Sequence, residues 1–169
     1  MKPINSVKDL YVEFIRDIYH AEVLLMPELR FFEKRAATKE LIKALKNHHS
    51  KANMHTTRLE EILEYLDSDL LQEHCRTMKS MILETKELVE RCTNAKLTER
   101  AMVGSLHRIT HCMITVYQML ISMADELELA SHKDILQKNL ADEIQFDKTI
   151  NAFGFNMLFQ DINLAKRLT

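Results

Sequence analysis

Glycine and proline are nearly missing from this chain, with only Gly104, Gly154, Pro3 and Pro27 among 169 residues. Sandwiches and barrels need turn residues at every strand end, and a phosphate-cradling loop needs clustered glycines. The composition excludes both and favours long helices. Cysteine is sparse: Cys75, Cys92 and Cys112 are scattered, odd in number and form no CxxC pair. The zinc-ribbon, thioredoxin and disulfide-scaffold readings fail on that pattern, leaving reduced thiols that pack as small hydrophobes. Neither sign of charge dominates, since 23 basic residues face 25 acidic ones for a net charge of −2. With no sustained run of either sign, neither nucleic acid nor an anionic membrane is an implied partner. No stretch approaches the roughly 18 apolar residues of a membrane span. The opening Met1-Lys2-Pro3-Ile4-Asn5 lacks the apolar core of a secretory signal, so a cytoplasmic protein is the expectation. GxSxG, Walker, HExxH and dinucleotide motifs are absent, which argues against nucleophile and nucleotide chemistry.

What the chain does have is helical periodicity. At 46% hydrophobic and 28% charged it is composed for one compact domain over residues 1–169. Ser6 followed by Asp9 resembles a capping box, and Tyr11, Ile15, Ile18, Glu22, Leu25, Leu29 and Phe32 then recur at helical spacing. This first helix runs to about Ala37, with Pro27 as a point for a kink. Thr38 is the expected cap of a second helix, whose stripe is Leu41, Leu45, His48, Ala52, His55, Leu59, Ile62 and Leu66. A third helix is expected over about Leu70 to Arg91, a fourth from after Thr98 to about Leu127, and a fifth from Ser131 to Gly154. The fourth presents Met102, Leu106, Thr110, Met113, Tyr117, Leu120 and Ala124, and the fifth Leu136, Leu140, Glu143, Asp147 and Ile150. Short joints at 37–38 and 128–131 make two antiparallel hairpins. The longer segment between them fits a crossover that carries its own helix, so the expected fold is an all-α, ferritin-like four-helix bundle with an additional helix in the crossover.

Ionisable residues stand inside these apolar stripes: Glu22, His48, His55, Glu143 and Asp147. Buried carboxylates are costly unless paired or bound to a cation. Glu22, His48, Glu143 and Asp147 are the candidate metal ligands, because oxygen and imidazole donors suit iron, manganese or zinc, and Glu143 and Asp147 at i and i+4 share a face. A metal-free alternative keeps His48 and Glu22 as a buried hydrogen-bonded cluster. His55 reads as a hydrogen-bonded core histidine. His107 and His111, also at i and i+4, have zinc-compatible spacing but lie beside the fourth stripe and read as surface or interhelix packing. The ten methionines read as pliable core filler.

The string Val7-Lys8-Asp9-Leu10-Tyr11 through Asp17-Ile18-Tyr19-His20-Ala21-Glu22, followed by Leu25 and Pro27, resembles the opening of YciE/YciF-like bacterial proteins of the ferritin-like superfamily. The resemblance continues in order through His48 with Arg58-Leu59-Glu60, Cys75 to Met78, Ile82-Leu83-Glu84, Arg108-Ile109-Thr110-His111 to Tyr117, and Leu140 to Asp147, covering residues 6 to 153. It implies a bacterial, cytoplasmic, dimeric protein linked to stress responses. It also implies that Glu22, His48, Glu143 and Asp147 belong to a metal site, which in ferritin-like relatives holds a pair of ions. At three positions where that family typically carries glutamate, this chain has Lys51, Thr110 and Met113. Thr110 is neutral, Met113 is a soft thioether, and Lys51 brings a positive charge that can pair with Glu22 or Glu143 in place of a metal.

Two functions follow from different classes. One is a bundle with a partly lost di-metal site that binds one ion and carries no assigned catalytic residue. The other is a metal-free structural or interaction protein in which an ion-pair network around Lys51 replaces the ion. Iron storage in a hollow shell fits least, because the resemblance is to a dimeric branch.

Overall fold

The computed structural model describes residues 3–68 and 75–165. Five helices follow in order: α1 Val7–Glu33, α2 Lys39–Tyr65, α3 Arg76–Glu90, α4 Ala95–Glu126 and α5 Ala130–Ala165. Both hairpins form as the short joints require. Tyr19 meets Glu60 and Arg30 meets His49, so α1 and α2 are antiparallel. Lys133 pairs with Asp125 and Asn139 with Tyr117, so α4 and α5 are antiparallel as well.

The two hairpins then close a bundle in which α1 packs on α4 and α2 on α5. The contacts of Thr38 with Glu99 and of Glu22 with Tyr117 make α1 and α4 antiparallel. Those of His48 with Phe146 and of Arg58 with Asn139 do the same for α2 and α5. Because α2 ends at one end of the bundle and α4 begins at the other, the chain between them must travel its length. The 15-residue α3 spans about 22 Å of that distance at 1.5 Å per residue. It lies along α1 and α4, with Cys75 at Asp17 and Lys86 at Glu28. The fold is the all-α, ferritin-like bundle that the joint lengths imply.

The stripes are the core. Tyr11, Ile15, Leu25, Leu29 and Phe32 of α1, Leu41, Leu45, Leu59 and Ile62 of α2, Met102, Met113, Tyr117 and Leu120 of α4, and Leu136 and Ile150 of α5 are all buried. Each buried leucine or isoleucine contributes roughly 1.5–3 kcal/mol relative to an exposed one. None of the helices searched among the described residues is long and apolar enough to cross a membrane.

Several helix ends differ from the periodicity, each for a local reason. α1 stops at Glu33, short of Ala37, and runs through Pro27 without a break. Ser6 Oγ accepts from Asp9 N at 3.1 Å, while Asp9 Oδ2 reaches one residue further back than a capping box requires, to Asn5 N at 3.0 Å. Thr38 occupies the N-cap of α2, but its hydroxyl donates to the Glu99 carboxylate instead of capping its own helix. The fourth helix starts earlier than Thr98, because Asn94 Oδ1 accepts from Leu97 N at 3.0 Å. The fifth starts at Ala130, ahead of Ser131, and continues past Gly154. The expected start of α3 at Leu70 lies outside the described residues, which resume at Cys75.

With glycine this scarce, the helix ends that need a left-handed residue use others. Asp67 (φ 48°) and Glu128 (φ 57°) follow the C-caps of α2 and α4. The bonds Ser68 N to Leu63 O and Asp67 N to Glu64 O complete a Schellman motif after α2, and Leu129 N to Ala124 O and Glu128 N to Asp125 O complete one after α4.

Candidate metal centre

At mid-bundle the polar members of the four stripes face one another. Glu22 of α1, His55 of α2, Tyr117 of α4 and Asn139 and Glu143 of α5 are fully buried, and His48 of α2 is nearly so. Glu22 Oε1 accepts from the Tyr117 hydroxyl at 2.7 Å and lies 2.9 Å from His55 Nδ1. Asn139 Nδ2 donates to the Tyr117 oxygen at 3.3 Å, and Arg58 Nη1 donates to Asn139 Oδ1 at 2.9 Å.

Glu143 is the anomaly. Its Oε1 lies 3.6 Å from both His48 Nε2 and His55 Nδ1, yet neither carboxylate oxygen makes a hydrogen bond. Glu22 Oε2 and both ring nitrogens of His48 are orphaned in the same way. Native cores pair nearly all such atoms, so a cluster of them marks a site shaped for something further. Glu22, His55 and Glu143 offer one donor atom each within 4.8 Å of one another. Two carboxylates and imidazole are the donor set of a hard or borderline cation, and the residues present fit one.

The electrostatics follow from burial. Desolvation, reinforced by His55, pushes His48 down to about 3, which keeps the ring neutral and able to donate a lone pair. Burial and then the charge of Glu22, with Asp142 and Asp147 behind it, push the Glu143 carboxyl well above its ordinary range. Burial and the Glu22 charge push the Tyr117 hydroxyl up, so it stays a donor. At the rim, burial raises Asp142, but its bond to Lys51 and the nearby His55 outweigh that and hold it below the ordinary value.

The structure distributes the sequence candidates over two places. Glu22 and Glu143 meet in the core, and His48 stands beside Glu143, at ion-pair distance from it but not from Glu22. The histidine on Glu22 is His55, not His48. Periodicity held the signal for this, since the two histidines are seven residues apart on one stripe, as Asn139 sits between Leu136 and Glu143 on another. Asp147 turns instead toward α4, where its Oδ1 lies 3.0 Å from His111 Nε2 and 3.5 Å from His107 Nδ1. These three residues form a second group with metal-ligand spacing. Lys51 is drawn to Asp142 Oδ1 at 3.0 Å, not to Glu22 or Glu143. Thr110 and Met113 are buried in the core face of α4.

A cleft of about 330 Å³ between α2 and α5, lined in part by His48, Lys51, Asp142 and Phe146, opens beside this centre. The cysteines take no part in it. All three are free, and burial, opposed by a backbone hydrogen bond at Met78 and reinforced by the Asp17 carboxylate, pushes the Cys75 thiol up to about 12.

The crossover bundle with carboxylate and imidazole groups at mid-height defines a ferritin-like helical protein. More narrowly, residues 6–159 match the family described as a domain of unknown function, DUF892, and the chain belongs to that family and is YciE/YciF-like. It is 20% identical over 154 residues to the protein YciF of Escherichia coli K12, covering 90% of this chain and 93% of YciF. The crystal structure of the E. coli stress protein YciF aligns with a TM-score of 0.86 at 19% identity, covering 92% of this chain and 98% of that one. YcfI of Rhodopseudomonas palustris, described as a proposed structural protein, aligns with a TM-score of 0.85 at 24% identity, covering 89% and 96%. At these identities the structural likeness concerns the fold.

Proposed function

We propose that residues 1–169 form one ferritin-like domain that binds a single divalent metal ion, iron, manganese or zinc, in its core. Glu22 and Glu143 are the carboxylate ligands, His55 is the imidazole that approaches both, and His48 supplies a second imidazole on the Glu143 side. The observation that carries this reading is the group of orphaned buried atoms on Glu22, Glu143 and His48, which an ion would satisfy at once. A bound cation supplies charge neutralisation for two carboxylates that otherwise share a desolvated space. A conventional two-metal centre is not proposed, because Lys51, Thr110 and Met113 leave α2 and α4 without bridging carboxylates. The resemblance supports a cytoplasmic homodimer with a role in stress.

A second reading has its own observation. Lys51, Arg58 and His55 all converge on Asp142, and Arg58 continues the chain of contacts through Asn139 and Tyr117 to Glu22. That network joins all four bundle helices without an ion, as a metal-free structural or interaction protein requires.

Elemental analysis separates the two. Untagged protein is incubated anaerobically with Fe(II), Mn(II) or Zn(II) and exhaustively desalted, beside Glu22→Gln and His111→Ala. Retention that Glu22→Gln lowers, both in the parent and in the His111→Ala background, supports the core site. A folded parent that retains nothing in the core supports the scaffold.

A further inference from the structure

We propose that His107 and His111 of α4 and Asp147 of α5 form a second metal site, solvent-facing and suited to zinc and chemically similar divalent transition ions. It shares no residue with the group formed by Glu22, His55 and Glu143, and stands or falls independently of it.

The helix supplies the first two ligands. Residues at i and i+4 project from one face, and the two imidazoles lie side by side with centroids 5.0 Å apart and planes 23° from parallel. The neighbouring antiparallel helix supplies the third. Asp147 Oδ1 is 3.0 Å from His111 Nε2 and 3.5 Å from His107 Nδ1. A tetrahedral ion with bonds of about 2.0–2.1 Å holds adjacent ligand atoms about 3.3 Å apart, a value that the two distances bracket.

The contacts are not those of an ordinary hydrogen-bonded triad. Asp147 Oδ1 is itself buried and accepts no hydrogen bond, although two imidazole nitrogens are close. The nitrogens and the oxygen border a common space without the alignment in which one donates to another. Exposure completes the case. His107 and His111 side chains are 29% and 61% exposed, so an ion here keeps a coordination position open to water or another exchangeable ligand. Two imidazoles, one carboxylate and an open position are the make-up of a zinc site that exchanges ligands, in contrast to a closed structural one. Imidazole-rich donors select zinc, copper, nickel or cobalt over magnesium and calcium.

The test uses the full chain, stripped with chelator. Co(II) is added and its visible d–d bands are followed, then Zn(II) is titrated in by calorimetry, in parent, His107→Ala, His111→Ala, Asp147→Asn and Glu22→Gln proteins. The expected result is a Co(II) spectrum displaced by Zn(II), with Zn(II) affinity weakened by more than about 100-fold in each of the first three variants, beyond the usual effect of losing an outer hydrogen-bond partner. The same losses appear when the three substitutions are placed in Glu22→Gln, which disables the core group and isolates the signal of this site. The two histidines are partly exposed, and Asp147→Asn conserves shape, so folding is retained and is verified by circular dichroism. A parent without the signal, or variants that bind as the parent does, overturns the proposal. So does a signal that only Glu22→Gln removes, which would place the ion in the core.

Discussion

His48 lies flat against Phe146, with ring centroids 3.8 Å apart and planes within 1° of parallel. The stack fixes the imidazole while both its nitrogens stay without hydrogen bonds. A buried neutral ring in that state is poorly justified by stability, because an apolar side chain of similar volume avoids the desolvation cost. In chelator-treated protein, His48→Leu is expected to leave stability unchanged or raise it by about 1 kcal/mol. Metal retention in the core is expected to fall. Urea denaturation and elemental analysis on the same preparation check both halves, and a marked loss of stability would mean that the ring has satisfied partners in solution.

Tyr117 is expected to matter for stability whether or not metal binds. Its hydroxyl donates to Glu22 Oε1 and accepts from Asn139 Nδ2. Tyr117→Phe removes a bond to a carboxylate and should lower stability by about 1.5–3 kcal/mol. A urea midpoint within error of the parent would show that water replaces the hydroxyl.

Acid sensitivity has an identifiable source far from either metal group. His132 is buried against Tyr11, whose hydroxyl lies 3.2 Å from Nδ1, and burial lowers its pKa from the ordinary 6.5. The unfolded chain therefore binds a proton here before the folded one does. The stability contribution is present above pH 6.5 and is lost as the pH falls from there through the folded value. His48 has the same sign, with its folded value at about 3. Chemical denaturation from about pH 7 to about pH 5 should show declining stability, with a shallower slope in His132→Phe. Identical slopes would remove His132 from the account.

Glycine scarcity leaves strain at an identifiable joint. Glu128 is exposed and holds φ 57° at the turn from α4 to α5. A left-handed L-residue costs roughly 1–2 kcal/mol, offset in part by the entropy that glycine loses on folding. Glu128→Gly should therefore stabilise by about 0.5–1 kcal/mol, while Glu128→Ala should not. Thermal unfolding of the pair decides it, and destabilisation by glycine would contradict the turn geometry.

Architecture was legible in the sequence because it depends on periodicity and joint length. The stripes named the core, and two tight joints beside one long segment implied the crossover. The centre was legible one helix at a time. Glu22 and Glu143 stand out as charges in apolar stripes, but which histidine meets Glu22 depends on the axial offset of α1 against α2, and that offset selects His55 over His48. Asp147 follows the same logic, since a small rotation about α5 separates facing Glu143's partners from facing His107 and His111. Glu99 was not legible at all, because its role comes from a loop more than sixty positions away in the chain.

That residue has a consequence for motion. Glu99 Oε1 accepts from the backbone N–H of Ala37 at 2.8 Å and of Thr38 at 2.6 Å, and from the Thr38 hydroxyl. The α1–α2 joint is thereby buckled to the first turns of α4, at the end of the bundle where the crossover arrives. Swinging the first hairpin open on that side means breaking charge-assisted bonds held in a half-buried place. Fraying of α4's start and release of the joint become a single opening event, so the amides of Ala37, Thr38 and Leu97 exchange with solvent together.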